Sequence, residues 1–531
     1  MGVVSLEELI KSIEVWLKVV KNRIPYVDPD LDPVLLVPGI AGSILNAVDA
    51  NGTEERVWVR ILGADHEFRT KLWSRFDPST GTGQTVSMDQ KTKILVPEDR
   101  FGLYAIDVLD PDMIIGRDGV IYFHDMIEEM LMWGYQEGKT LFGFGYDFRQ
   151  SNRLQETLDE FSDKLQSAYT AAGGKKLTII THSMGGLLVK CFMCLRSDVF
   201  EKYVKSWIAI AAPFRGAPGY ITTSLLNGMS FVEGWEQNFF ISKWSMHQLL
   251  IECPSIYELM ACPNFDWNTS PLLQVWREKI ECGNTCTILE SYGPEESISI
   301  MEDALSCNTV TYEGEELPLP LNLDILKWAS KTHEILSRAK LPSTVKFYNI
   351  YGTNNDTPHS VCYGSEDAPI SDLKQILFLG AKYISVDGDG TVPAESAKAD
   401  GLDAVARVGV QADHRGIVCD RHVFRILKHW LKAGEPDPFY NPIIDYVILP
   451  TAFEIEKHCE EGVPEITLKE EWEMVSEDDY DNHKTPHLVG SLFVSHTGKD
   501  ESHAEAHVTV CLESESKQQV EVRAVSVSVG G

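Results

Sequence analysis

Hydrophobic positions along the chain follow two different periods. Residues 5–20 carry Leu6, Leu9, Ile10, Ile13, Trp16, Leu17 and Val20 at helical spacing, with Glu7, Glu8, Lys11, Glu14 and Lys18 opposite, which predicts an amphipathic helix. Its polar face is not enriched in Lys and Arg, so packing on the main domain is preferred to lying on a membrane. After a proline-rich link, Val34-Leu35-Leu36-Val37 runs apolar without a break into Pro38-Gly39, as a strand buried on both faces does. Similar runs recur at 141–144, 177–181, 207–212, 345–351 and 383–386, and helix-like stretches at 125–133, 154–171 and 187–195 lie between several of them. Strands alternating with helices predict an α/β fold with a mostly parallel sheet covered on both sides.

Two segments interrupt the alternation. Residues 50–100 are rich in Trp, Arg and Gly without a clean period, and 216–344 separate two sheet strands by more chain than a loop accounts for. Both read as cover over one end of the sheet. Beyond 432 the chain turns acidic at 454–481 and then alternates at 507–512 and 520–529, which predicts two pairing strands in a C-terminal extension.

Composition narrows the class. The 47 Lys and Arg against 79 Asp and Glu leave a net charge of -32, which repels phosphate backbones and excludes nucleic acid as a partner. The same field favours zwitterionic over anionic membranes. No apolar run is long enough to span a bilayer. Acids at Glu7, Glu8 and Glu14 interrupt any signal-peptide core, and Leu6 stands where a myristoylation site needs Ser or Thr. Eleven cysteines, all from Cys191 onward, show no paired metal spacing. Cys191 and Cys194, three apart on a helix, read as small buried side chains. The expectation is a cytoplasmic protein with reduced thiols, peripheral on internal membranes, whose sequons at Asn51, Asn268 and Asn355 stay bare.

Candidate chemistry centres on Thr181-His182-Ser183-Met184-Gly185-Gly186, preceded by the apolar strand 177–181 and followed by a Leu- and Val-rich helix. This is the context of a nucleophile elbow, where a serine sits on a sharp turn between strand and helix. Thr181 departs from the usual Gly at the first position. A serine hydroxyl needs a base to take its proton, and in this fold the acid precedes the histidine. Asp389, in Val386-Asp387-Gly388-Asp389-Gly390-Thr391-Val392, follows a β-like run; His414 lies between the strand-like 404–410 and a helix at 420–431. Turn capping is the competing role for Asp387 and Asp389. Calcium is disfavoured because the further ligands of an EF-hand are missing. His414 is one of fifteen histidines, and position on a loop tip is its main recommendation. His182, on the elbow itself, is expected to point away from the serine and support it. The N–H groups of Met184 and of Ile40, in the Pro38-Gly39-Ile40-Ala41-Gly42-Ser43 turn, are the expected oxyanion donors.

Together with Val37, that turn, Tyr146-Asp147-Phe148-Arg149, the elbow, Ala212-Pro213-Phe214-Arg215-Gly216, Asp387 to Val392 and His414 resemble the lecithin–cholesterol acyltransferase-like proteins, within them the plant phospholipase A-like branch. The likeness spans residues 33–432. It implies an α/β-hydrolase fold, a Ser183–Asp389–His414 triad, an oxyanion hole at Ile40 and Met184, a cap that binds acyl chains, phospholipid substrates and no metal or other cofactor. In secreted members a disulfide closes the early lid; the matching stretch 58–73 has no cysteine. Bulky groups in the cap, among them Tyr220, Leu225, Leu226, Phe231, Trp235, Phe239, Phe240, Trp244, Leu249 and Leu250, read mostly as core, with some lining an acyl channel.

The expected organisation is therefore a helix and linker over 1–33, a hydrolase domain over 34–432 with lid 50–100 and cap 216–344, and an extension over 433–531. The expected activity is hydrolysis of a glycerophospholipid such as phosphatidylcholine, the sn-2 ester slightly favoured, with transient contact to a membrane surface. Acyl transfer to a sterol or other alcohol and non-catalytic lipid binding are the alternatives.

Overall fold

Six strands form the central sheet: β1 (Val34–Val37), β2 (Leu141–Gly143), β3 (Leu177–His182), β4 (Val204–Ile210), β5 (Lys346–Gly352) and β6 (Ala406–Val410), in the spatial order β6-β5-β4-β3-β1-β2. Every pair is parallel. The computed structural model describes residues 27–434 apart from 60–67, 90, 113–119, 229–241 and 282–283, and beyond them the backbone of strands at 472–473, 487–495, 503–513, 518–523 and 527–528. The helix expected at 5–20 lies outside the described residues.

Side chains on β1 and β3 are buried at every position; β1 is apolar throughout, and the polar Thr178 and Thr181 of β3 are bonded to Ser206 and Trp207. The pleat divides them between two cores: Leu35, Val37 and Ile179 on one face, Val34, Leu36 and Ile180 on the other. The first face is covered by α2 (Gln155–Ala171) and α3 (Gly185–Leu195), the second by α1 (His124–Met132) and α4 (Arg421–Leu431). On α2, Leu158, Phe161, Leu165 and Ala168 make the buried stripe, and Phe161 meets Phe144 and Phe192 edge-on at 4.9 and 4.8 Å. Asp420 starts α4 by accepting from the His422 and Val423 amides. The mostly parallel, doubly covered α/β sheet is as expected, and five of the six apolar runs become its strands.

The sixth does not. Residues 383–386 fall in a strand, Lys382–Gly388, that pairs antiparallel with Asn355–Tyr363 in a separate four-stranded sheet. Its partners there are completed by the hairpin Leu273–Glu281 and Asn284–Tyr292 from the insertion. The cap, expected over 216–344, thus continues through 355–388. Its Leu225, Leu226, Leu249, Leu250 and Ile251 are ordinary core, as expected; Phe231, Trp235, Phe239 and Phe240 lie outside the described residues. The lid segment forms two small sheets, Leu45–Val48 with Glu54–Trp58 and Lys93–Leu95, and Ser74–Phe76 with Thr85–Ser87.

Residues 448–531 make a unit of their own. The expected pairing is there, with Val508 opposite Val522 and Val510 opposite Val520, and a further strand, His487–Ser495, joins the other edge. No helix among the described residues is long and apolar enough to cross a membrane.

From β1 the chain crosses to β2 at the sheet edge, then returns to the other side of β1 to lay down β3. The carboxyl ends of β1 and β3 flank this reversal, the place where open α/β sheets form their binding crevice. Phe161→Ala, which empties the contact between α2, α3 and the sheet, is expected to cost about 3–5 kcal/mol and is checked by the denaturant midpoint.

Candidate active site

The turn after β3 places Ser183 at φ 53°, a left-handed conformation that few non-glycine residues adopt. Its amide donates to Ile210 O at the end of β4 (2.9 Å). The strain is accommodated because neighbouring side chains are missing. A Cβ on Gly39 would stand 2.6 Å from Ser183 Cβ, one on Gly185 2.4 Å from Pro38 O, and one on Gly186 2.5 Å from Ala212 Cβ. The unusual Thr181 is explained locally: it is fully buried and its hydroxyl accepts from Trp207 Nε1 (3.0 Å), an anchor that glycine lacks.

Three residues from three distant stretches converge here. His414 Nε2 lies 2.9 Å from Ser183 Oγ, and His414 Nδ1 2.7 Å from Asp389 Oδ2. With Nδ1–H donating to the carboxylate, Nε2 is left as the acceptor for the serine proton. Asp389 is 1% exposed, and its other oxygen accepts from the Thr391 and Val392 amides at 2.9 and 2.6 Å. The His414 amide donates to Asp389 O (2.8 Å), so backbone and side chains fix the pair together. Asp387 has the turn-capping role instead, accepting from Thr353 Oγ1 and the Asn354 amide.

Asp389 arrives by a detour. It follows the cap strand Lys382–Gly388, yet sits over the end of β5, where a Cβ on Gly352 would be 2.3 Å from Asp389 Cβ. His414 comes from the loop after β6.

The Gly39–Gly42 turn closes the other side. Ala41 is left-handed (φ 57°), and Gly42 N–H donates to Gly39 O (3.2 Å). Tyr146 Oη donates to Pro38 O (3.1 Å), and lid residue Trp58 donates through Nε1 to Ala41 O (2.7 Å). Among the described residues, neither the Ile40 nor the Met184 amide donates to a protein acceptor, which leaves both free for an incoming oxygen. No cluster of three or more His, Cys, Asp or Glu among the described residues could hold a metal ion.

His182 turns away from Ser183 Oγ, as expected. Its Nδ1 meets Tyr122 Oη (2.5 Å) and its Nε2 meets His414 O (2.9 Å). Burial, and secondarily the neighbouring His414, push its pKa well below the usual range, so it stays neutral at ordinary pH. The sequence Val120-Ile121-Tyr122-Phe123 carries no motif, and only the fold brings Tyr122 to the elbow.

This arrangement can activate a serine hydroxyl and receive a developing oxyanion beside it. Gly39→Ala forces the first turn and the serine apart; turnover is expected to fall about 10²-fold or more with the far-ultraviolet circular dichroism unchanged, which kinetics and spectroscopy on the purified variant check.

Sequence comparison agrees with the motifs. The chain is 64% identical to Lecithin-cholesterol acyltransferase-like 4 of Arabidopsis thaliana over 99% of both proteins. It is 53% identical to a phospholipase A(1) of the same plant over 76% of this chain and 91% of the relative. A bovine (Bos taurus) lysosomal phospholipase A and acyltransferase is 27% identical over 35% of this chain and 48% of its own. The family description Lecithin:cholesterol acyltransferase matches residues 76–401, a span that holds the elbow and Asp389; with this match and a relative 64% identical over nearly its whole length, the chain belongs to the lecithin:cholesterol acyltransferase family.

Proposed function

We propose that this protein is a phospholipid acyl hydrolase that works through an acyl-enzyme on Ser183. His414 Nε2 takes the hydroxyl proton as Ser183 Oγ attacks the ester carbonyl carbon. The oxygen of that carbonyl becomes an oxyanion against the Ile40 and Met184 amides, each worth about 3 kcal/mol to the transition state. Asp389 holds the imidazole in the required tautomer and offsets its positive charge. His414 then returns the proton to the departing lysophospholipid oxygen, and water, deprotonated by the same imidazole, releases the fatty acid and restores the serine.

The observation that carries this reading is the continuous hydrogen-bonded line from Asp389 through His414 to Ser183 on a strained turn. The class of substrate rests on the relatives, which are named as phospholipases and acyltransferases. Phosphatidylcholine, met at a zwitterionic membrane surface, is the proposed substrate because the net charge of -32 opposes anionic lipid. The sn-2 preference is retained as part of the proposal, against the sn-1 ester for which the phospholipase A(1) relative is named. A cytoplasmic location is proposed; the eight cysteines whose side chains are described are free thiols, as a reducing compartment keeps them.

Transfer to a sterol or other alcohol shares the acyl-enzyme and differs only in what attacks it. Phosphatidylcholine labelled in one acyl chain, with and without sterol, separates the outcomes. Free fatty acid and lysophospholipid are expected, from the sn-2 position first; abundant steryl ester with little free acid would overturn the hydrolase reading. Ser183→Ala is expected to lose several powers of ten in turnover and all labelling by a fluorophosphonate. Hydrolysis left intact would remove Ser183 from its role and favour a different site. A chain ending near Pro442 is expected to keep full turnover, because every residue named in the mechanism precedes it.

A further inference from the structure

We infer that Tyr122 and His182 are positioning residues, a relay that sets the oxyanion turn and the base loop in register with Ser183. The inference rests on the function proposed above; it adds Tyr122, which no motif contains, and says by what bonds His182 supports the serine. It starts from a line of three hydrogen bonds: Gly39 N to Tyr122 Oη (2.8 Å), Tyr122 Oη to His182 Nδ1 (2.5 Å) and His182 Nε2 to His414 O (2.9 Å).

The two ends determine the direction of every bond. A backbone amide only donates and a carbonyl only accepts. His414 O therefore requires Nε2–H on His182. A neutral ring with Nε2–H leaves Nδ1 bare, so Tyr122 must donate its proton to Nδ1 and accept from Gly39 with its lone pairs. One assignment satisfies all three contacts. Burial agrees with it: His182 is 2% exposed, and its charged form is strongly disfavoured there.

What the relay holds is the backbone on either side of the nucleophile. Gly39 has its N–H bound by Tyr122 and its carbonyl bound by Gly42 N–H. The Gly39 carbonyl and the Ile40 N–H share one peptide plane, so fixing the first aims the second. His414 likewise has its carbonyl bound by His182 and its N–H bound to Asp389 O, which anchors the root of the imidazole. The hub, His182, is the residue immediately before Ser183. Nucleophile, oxyanion donor and base are thus tied to a single ring, and the rings of Tyr122 and His414 pack on it at 5.5 and 4.9 Å. Misplacement of reacting groups by an ångström costs about 10²-fold in rate, so slack in this line is felt in turnover and not in substrate capture.

The test is a double-mutant cycle with Tyr122→Phe and His182→Phe, both of which keep a ring in place. Turnover of phosphatidylcholine is measured per serine titrated with fluorophosphonate, so that misfolded protein drops out of the count. Tyr122→Phe is expected to lower kcat by about 10-fold to 10²-fold with KM within about threefold. The double variant is expected to be no slower than the slower single variant, because the residues act as one unit. Unchanged kcat per titrated serine, losses that multiply, or a change confined to KM would each overturn the relay. Should His182→Phe fail to fold, Tyr122→Phe, which loses one oxygen, decides through its kcat and KM alone. Absence of Ser183 labelling in the unsubstituted chain would instead overturn the acyl-enzyme reading and the relay with it, whereas normal labelling with unaltered variants overturns the relay only.

Discussion

The site depends on how closely the ends of β1 and β3 approach. Gly39 lies against Ser183, and Gly185 against the carbonyl of Pro38, at separations that leave no room for a Cβ. That contact is possible because β1 and β3 are hydrogen-bonded neighbours at the reversal of strand order, and because the elbow places Ser183 at positive φ. A parallel sheet sends both strand ends to the same edge, so the serine and the turn that carries the Ile40 amide meet without any long side chain to span the gap. The rest of the centre is built onto this contact.

Covers and core are joined by buried polar groups more than by loops. Arg149 forks onto Asp147 and extends Nη1 to Leu72 O of the lid (2.6 Å). Although burial pushes the Asp147 carboxyl up, the charge and hydrogen bonds of Arg149 hold it below its usual range. Glu258, from the cap, accepts from Ser151 Oγ, the Asn152 amide and Thr332 Oγ1. Removing either member of the Arg149–Asp147 pair leaves an uncompensated buried charge, which costs about 3–5 kcal/mol. Trp58 adds a direct tie from the lid to the oxyanion turn. The lid is thereby linked by hydrogen bonds to the backbone that would receive the oxyanion, and its packing bears on chemistry as well as on access.

Much of this was legible beforehand, for a local reason. A strand buried on both faces is mostly apolar, so β1, β3 and β4 announce themselves, and a serine between such a strand and a helix with two glycines makes a sharp turn. The run at 383–386 misled because an apolar stretch specifies a strand and not its neighbour. Val386 pairs with Thr357 in the cap sheet, and Ile384 on the same strand is half exposed. Asp389 meets His414 all the same, since the turn following the strand, not the sheet it belongs to, carries the carboxylate.

The sequence by itself determined the elements whose signal is local: the apolar strands, the amphipathic helices, the glycines that make the elbow possible, and the residue types needed to activate a serine. Only the tertiary structure decided which acid and which of fifteen histidines meet Ser183, that the cap returns through a second sheet, and that Tyr122 reaches Gly39 from 83 residues away. The physical reason is one of range. Periodicity and turn chemistry act over a few residues of chain, whereas a hydrogen bond depends on distance in space, and that distance exists only after the sheet has chosen its strand order.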